Sequence, residues 1–396
     1  MVSVLSSLFG MEHIEQAEDI VSDTFLAATE SWSAKGVPEN PAAWLYTVAK
    51  NKTKNWLKRD NLFQQKLLAD LRRNTPEGEE IEIDLSAQNI TDSQLAMIFA
   101  VCNPSIPAES QVALALNLLC GFGAQEIADA YLTTTTVIYK RLSRAKEKLK
   151  EADIKIQQPT IPEINERLET VLKTLYLLFS EGYYSTSHNT VLRKELCVEA
   201  MRLAYLLIEQ PHTNQPAVNA LMALMCFHSS RFDARMNDTG ELVLYEEQDE
   251  TLWNTELIEW GEYFLIQAAG PVLTRYHLEA AIAYWHTHKE DSSEKWNNIL
   301  DLYNQLLILE YSPIAALNRT FALAKAKGKR EAIIAAEKLE LTENHFYYSL
   351  LGNLYTGIDD RKAMQHYETA LKHANTPADI ALMEKNIGQI KRRLDN

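Results

Sequence analysis

Gly123-Ala124-Gln125-Glu126-Ile127-Ala128-Asp129-Ala130-Tyr131, then Leu132-Thr133, then Thr134-Thr135-Thr136 and a segment reaching Lys150 decide how this chain is read. The first nine residues form a short amphipathic pattern, Leu132-Thr133 interrupts it, and the threonine run favours the start of a second helix. In that helix Ile138, Leu142, Ala145 and Leu149 share an apolar face, while Arg141, Arg144 and Lys148 share a basic one. Two helices about a tight turn predict a helix-turn-helix. Its short hydroxyl side chains, Thr134, Thr135 and Thr136, approach base edges and phosphates. Lys140, Arg141, Arg144 and Lys148 pair with phosphate or guanine. The same pattern also suits an ordinary helical hairpin with a solvated charged face.

A second basic segment runs Asn40-Pro41-Ala42-Ala43-Trp44-Leu45-Tyr46-Thr47-Val48-Ala49-Lys50-Asn51-Lys52-Thr53-Lys54-Asn55-Trp56-Leu57-Lys58-Arg59. Asparagine before proline predicts an N-cap and a first helical residue. Leu45, Val48, Ala49 and Trp56 fall on one face; Lys50, Lys54 and Lys58, each four apart, line another beside Asn51 and Asn55. Such a face follows a phosphate backbone and touches bases, although lysines late in a helix also complement its dipole. Trp44, among alanines in the first turn, is expected in the core.

Outward from these segments, the composition fixes the class. The chain has 396 residues, enough for two or three domains, and only 25 glycines and prolines, about 6%, where ordinary usage is roughly 12%. Breakers are scarce, so an all-α fold is expected. Acidic residues outnumber basic ones 54 to 39, a formal charge of −15, which excludes a non-specific DNA binder acting alone. Residues 1–155 carry 16 basic and 21 acidic side chains, leaving a net −10 for residues 156–396. Cys102, Cys120, Cys197 and Cys226 lie far apart in apolar runs without metal or redox spacing, and are expected as buried thiols in a reducing compartment. No apolar run reaches the length of a membrane span and no signal-peptide pattern opens the chain, so a cytoplasmic protein without a membrane partner is expected.

The acidic, turn-prone run Asn74-Thr75-Pro76-Glu77-Gly78-Glu79-Glu80 marks a linker at 61–89, and Gln157-Gln158-Pro159-Thr160-Ile161-Pro162 closes the next unit. The expected domains are 1–60, 90–156 and 157–396. The last is helical almost throughout. Tyr348, Leu351, Gly352 and Tyr355, followed by Ala363, Tyr367, Ala370-Leu371 and Pro377, are similar to the small and large packing positions of a tetratricopeptide repeat, and Asn318, Phe321 and Ala335 hint at a preceding copy.

Taken in this order, the segments resemble a bacterial sigma-70 family factor of the extracytoplasmic-function type. Ala17-Glu18-Asp19-Ile20-Val21-Ser22-Asp23-Thr24-Phe25-Leu26-Ala27-Ala28 resembles the region 2 helix that grips the β′ clamp helices of RNA polymerase. The resemblance therefore implies core polymerase (β′ clamp helices and β subunit) as partner, bound through Glu18, Asp19, Asp23 and Phe25. Residues 33–59 resemble the part that opens the −10 element, which implies Tyr46, Lys50, Asn51, Lys54, Asn55 and Lys58 at promoter DNA. Exposed Tyr46 or Trp56 would stack on captured bases, worth about 1–3 kcal/mol per base. Glu126-Ile127-Ala128 through Arg141-Leu142-Ser143-Arg144-Ala145-Lys146 resembles the region 4 helix-turn-helix that reads the −35 element.

Tyr176-Leu177-Leu178-Phe179-Ser180-Glu181-Gly182-Tyr183, Leu196-Cys197-Val198-Glu199-Ala200-Met201-Arg202-Leu203, Gly240-Glu241-Leu242, Gln248-Asp249 and Ala316-Leu317-Asn318-Arg319 resemble the tetratricopeptide-like extension of one sigma subgroup. That likeness implies control by the extension through a regulatory ligand or protein. It also implies further helix upstream of Met1-Val2-Ser3-Val4-Leu5, so a truncated or late-starting form is expected. The threonine run at Thr133 to Thr136 differs from relatives, and promoter preference does not carry over.

No catalysis, cofactor or metal is expected. His286 and His288, two apart on a helix, diverge by about 200°, and Glu181 is read as a polar residue ending a helix rather than as an acid or base. The rival reading is a helix-turn-helix regulator with a repeat-type sensor and no sigma activity. The Ala17 to Arg59 segment counts against it. A pure repeat scaffold leaves both basic helices without a role.

Overall fold

The computed structural model describes residues 1–59, 84, 86–183, 190–235, 243, 245–374 and 377–394. The acidic run at 74–80 and Gly240-Glu241-Leu242 lie outside the described residues. Among the described residues every regular element is helical, as the scarcity of glycine and proline predicts. The chain divides into two compact units, Met1–Gly182 with Val191–Thr213, and Tyr183–Thr190 with Asn214–Asn396.

The first unit begins with α1 (Val2–Phe9), a 3-10 turn (Met11–His13), α2 (Ile14–Lys35) and α3 (Pro41–Arg59). Val4, Leu5 and Phe9 of α1 pack on Ala17, Ile20 and Val21 of α2. Asn40 caps α3, its side chain accepting from the Ala43 N–H at 3.0 Å, and Pro41 opens the helix as the sequence predicts. On α3, Ala49 and Thr53 are buried, and Trp56 lies 5.0 Å from the Phe9 ring. Trp44 is half-buried, edge-on to Trp32 at 5.5 Å.

Next come α4 (Ala87–Val101), α5 (Ala108–Leu118), α6 (Ala124–Ala130) and α7 (Thr135–Glu151), then α8 (Ile161–Tyr183) and α9 (Thr190–Glu209). The second half of α4 and most of α5 are buried and fill the interior, with Met97, Ile98, Leu114 and Leu116 fully buried. Gln111 of α5 is buried among them with its bonds satisfied. Its amide donates to the Asn103 and Ile106 carbonyls at 3.0 and 2.9 Å, and its oxygen accepts from Thr174 of α8 at 2.7 Å. That polar tie joins α8 to this unit, and Val171 and Leu175 of α8 are fully buried. Near the end of α8 a side chain on Gly182 would come 2.5 Å from the Arg193 carbonyl, so glycine permits the close approach to α9.

The second unit comprises α10 (Pro216–Ser230), α11 (Thr255–Gln267), α12 (Arg275–Trp285), α13 (Ser293–Leu309), α14 (Pro313–Lys327), α15 (Lys329–Glu337), α16 (His345–Tyr355), α17 (Asp360–His373) and α18 (Pro377–Leu394). α10 is buried almost all round and forms one centre of this unit. The repeat-like positions form another: Leu351, Tyr355, Ala363, Tyr367 and Ala370 are buried in one cluster, and Pro377 opens α18. Gly352 faces Tyr367 so closely that a Cβ would stand 2.8 Å from its ring.

Of the cysteines, Cys102, Cys197 and Cys226 are buried thiols, and burial pushes Cys102 and Cys226 up to about 12. Cys120 departs from the expectation and is only half-buried, because it lies where the chain leaves α5.

Gly352→Ala should lower stability by about 1–2 kcal/mol, since overpacking against a buried ring outweighs the better helix propensity of alanine. A urea titration reads this as a lower midpoint; an unchanged midpoint would mean that α16 and α17 separate without cost.

Candidate nucleic-acid interface

The segment expected to form a helix-turn-helix folds as α6, the turn Tyr131–Thr134 and α7. Glu126 accepts from the Gly123 N–H at 2.7 Å at the start of α6. In the turn, Leu132 takes φ +49 and points its side chain to solvent, 67% exposed. Thr134 caps α7, accepting from the Val137 N–H at 3.4 Å, and Thr135 donates to Gln125 of α6 at 2.7 Å. Ile138, Leu142, Ala145 and Leu149 are buried on the inner face, as their spacing predicts.

The outer face of α7 carries Thr136, Lys140, Arg144 and Lys148, all exposed. Two of the threonines are thus partly spent on building the motif. Exposed Tyr139 and Ser143 stand among the basic residues, and periodicity alone did not single them out. Arg141 does not share this face, contrary to the sequence reading. It pairs with Glu109 of α5 at 3.0 Å and lies 5.3 Å over the Tyr131 ring. Glu181 of α8 belongs to the same neighbourhood: burial, then the Glu109 carboxylate, push it up, and Arg141 opposes them. Arg141 is therefore turned off the outer face by Glu109 and the Tyr131 ring.

On α2 the expected acidic residues divide. Lys146 of α7 reaches both oxygens of Glu18 at 2.8 and 2.6 Å, and Lys150 reaches both of Glu15 at 2.7 and 2.6 Å. Lys146 is buried; the Glu18 carboxylate offsets the loss of its water. Burial alone would push Glu15 up, but the hydrogen bond and charge of Lys150 bring it below the usual carboxylate value. Asp23 pairs with Lys52 of α3 at 3.6 Å. Asp19 is exposed, as are Phe25 at 50% and Leu26 at 58%, an apolar pair unusual on an acidic helix face.

On α3, Asn51 and Asn55 are exposed, and Tyr46, Lys50 and Lys54 are half-buried. Trp56 is correspondingly not an exposed stacking platform, because Phe9 and His13 cover it at 5.0 and 6.3 Å. The side chain of Lys58 lies outside the described residues. Among the described residues no group of three or more His, Cys, Asp or Glu is placed to hold a metal ion, and no helix is long and apolar enough to cross a membrane.

Residues 2–62, which hold α1 to α3, match the sigma-70 region 2 family. That match supports placing the N-terminal domain in the sigma-70 family, whose region 2 works with core RNA polymerase and promoter DNA. Residues 167–269 match a family of unknown function (DUF6596). Along nearly its whole length the chain is similar to the Uncharacterized protein R00370 of Rhizobium meliloti (strain 1021), 32% identical over 394 residues, covering 96% of this chain and 90% of that one. The chain belongs to one family with that protein. No solved structure matches it.

A double-mutant cycle with Glu18→Gln and Lys146→Met should give a coupling of about 1–2 kcal/mol, above the roughly 0.5 kcal/mol of an exposed pair. Because the Glu15 carboxyl is held below its unfolded value, its contribution is present above that unfolded value. It is lost as pH falls through the lower folded one, so Glu15→Gln should flatten that part of the acid denaturation curve. Independent, additive effects in the cycle would remove the α2 to α7 pairing from the account.

Proposed function

We propose that the protein is an RNA polymerase sigma factor that directs core polymerase to specific promoters, with a C-terminal helical extension that controls it. The observation that carries this reading is the conjunction of a region 2 match over residues 2–62 with a helix-turn-helix at 124–151 whose outer face is basic. On this reading 1–60 is region 2, 90–156 is region 4, and 157–396 is a tetratricopeptide-like regulatory extension of an extracytoplasmic-function subgroup.

Asp19, Phe25 and neighbouring Leu26 offer core polymerase an acidic and apolar face. Asp23, exposed beside Lys52, joins it, whereas Glu18 stays with buried Lys146 and positions α2. Asn51 and Asn55, with Tyr46, Lys50, Lys54 and Lys58 along the same helix, act at the −10 element. Thr136, Lys140, Arg144 and Lys148 contact the −35 duplex from the outer face of α7. Thr134 and Thr135 hold the N-terminus of that helix, and Arg141 positions it through Glu109. Polymerase supplies the DNA affinity that a chain of charge −15 lacks alone. The role is recognition and melting, without covalent chemistry, and places the protein in the cytoplasm.

Run-off transcription with purified core polymerase and genomic fragments tests the reading. The full chain should start transcription at discrete sites. In promoter binding by the holoenzyme, Arg144→Ala and Lys148→Ala should each weaken affinity and lower the salt slope by about one. Failure of the full chain to bind core polymerase would overturn the sigma reading; binding to operators without polymerase would favour the regulator instead.

A further inference from the structure

The apolar stripe of α7, Ile138, Leu142, Ala145 and Leu149, is buried, and the row directly opposite it is Thr136, Lys140, Ser143 and Glu147, all exposed. At about 100° per residue these four fall within about 60° of one another around the axis, and Arg144 and Lys148 stand together on one flank of the row. The major groove is about as wide as a helix with its side chains. A helix laid in it turns its outermost row to the base edges and its flanks to the phosphates. Position around α7 therefore separates base reading from phosphate holding.

The basic residues of α7 sort accordingly. Lys146 and Lys150 are committed to Glu18 and Glu15, and Arg141 to Glu109. With Arg144 and Lys148 on the flank, Lys140 is the basic side chain of the central row. Its neighbours one turn away, Thr136, Val137, Ser143 and Arg144, include no carboxylate to hold it. An ammonium carries three donors and no acceptor, and guanine offers two acceptors, N7 and O6, side by side in this groove. Adenine sets a donor beside its N7, thymine offers one acceptor, and cytosine presents a donor.

Glu147 decides which end of the helix enters. The advance from Thr136 to Ser143 covers about 10.5 Å, close to three base-pair steps, and Glu147 follows about 6 Å farther on. A carboxylate at the same depth would stand between two rows of phosphates, so the N-terminal half of α7 lies in the groove with Glu147 at its edge.

We propose that Lys140 is the base-reading residue of α7 and selects a guanine of the −35 element, while Arg144 and Lys148 hold phosphates. The inference rests on the sigma-factor reading and deepens it by naming a base the promoter must carry.

Selection from promoter fragments randomised over the −35 region, by the full chain with core polymerase, tests it. The bound pool should be enriched about tenfold in guanine at one position. Lys140→Ala should lose that enrichment and keep the preferences elsewhere; Arg144→Ala should keep every preference and weaken all sequences alike. 7-Deazaguanine at that position removes the N7 acceptor and leaves the protein untouched. It should weaken wild-type binding several-fold and leave Lys140→Ala unaffected. Glu147→Gln should strengthen binding to all sequences alike. Guanine enrichment surviving in Lys140→Ala, equal loss from 7-deazaguanine in both proteins, a base preference moved by Arg144→Ala or Glu147→Gln, or selected DNA without that guanine would each overturn the proposal and leave the sigma reading standing. If the full chain with core polymerase selects no DNA at all, the sigma reading falls and the proposal with it.

Discussion

Two ion pairs between α2 and α7 set the arrangement of the first unit. Lys146 and Lys150 lie one turn apart on α7, and Glu18 and Glu15 lie one turn apart on α2, so each lysine meets both oxygens of one carboxylate. Because Lys146 is buried, its charge is tolerable only with a carboxylate beside it, and the rotation of α7 about its axis is fixed accordingly. With Lys146 and Lys150 turned inward and Leu142 and Leu149 buried, Lys140, Arg144 and Lys148 have only the outer side left.

The sequence made the inner face of α7 legible because burial of Ile138, Leu142, Ala145 and Leu149 follows directly from helical period. It also made the α3 cap and the Gly352 to Tyr367 packing legible, since both depend on residue types with few alternatives. The inward turn of Arg141 was not legible. Its helical position groups it with Arg144 and Lys148, but Glu109, 32 residues earlier, and the Tyr131 ring draw it in. Trp56 follows the same rule: the wheel of α3 does not show that Phe9 and His13 lie across it. Periodicity reports which face is apolar, whereas long-range partners decide what happens at the borders of that face.

A cavity in the second unit was likewise invisible in advance, because Tyr245, His286, Trp296, Phe321 and Phe346, which line it, are drawn from separate segments. Charge counting assigned the C-terminal part a net −10 and did not show that Arg231 and Lys295 would be buried there.

The central claim is that the exposed part of α2 docks on core polymerase. Amide hydrogen exchange of the full chain, alone and with saturating core RNA polymerase, tests it most directly. The account predicts added protection along α2, centred on Asp19 to Leu26; exchange over residues 14–35 that is unchanged by polymerase would contradict it.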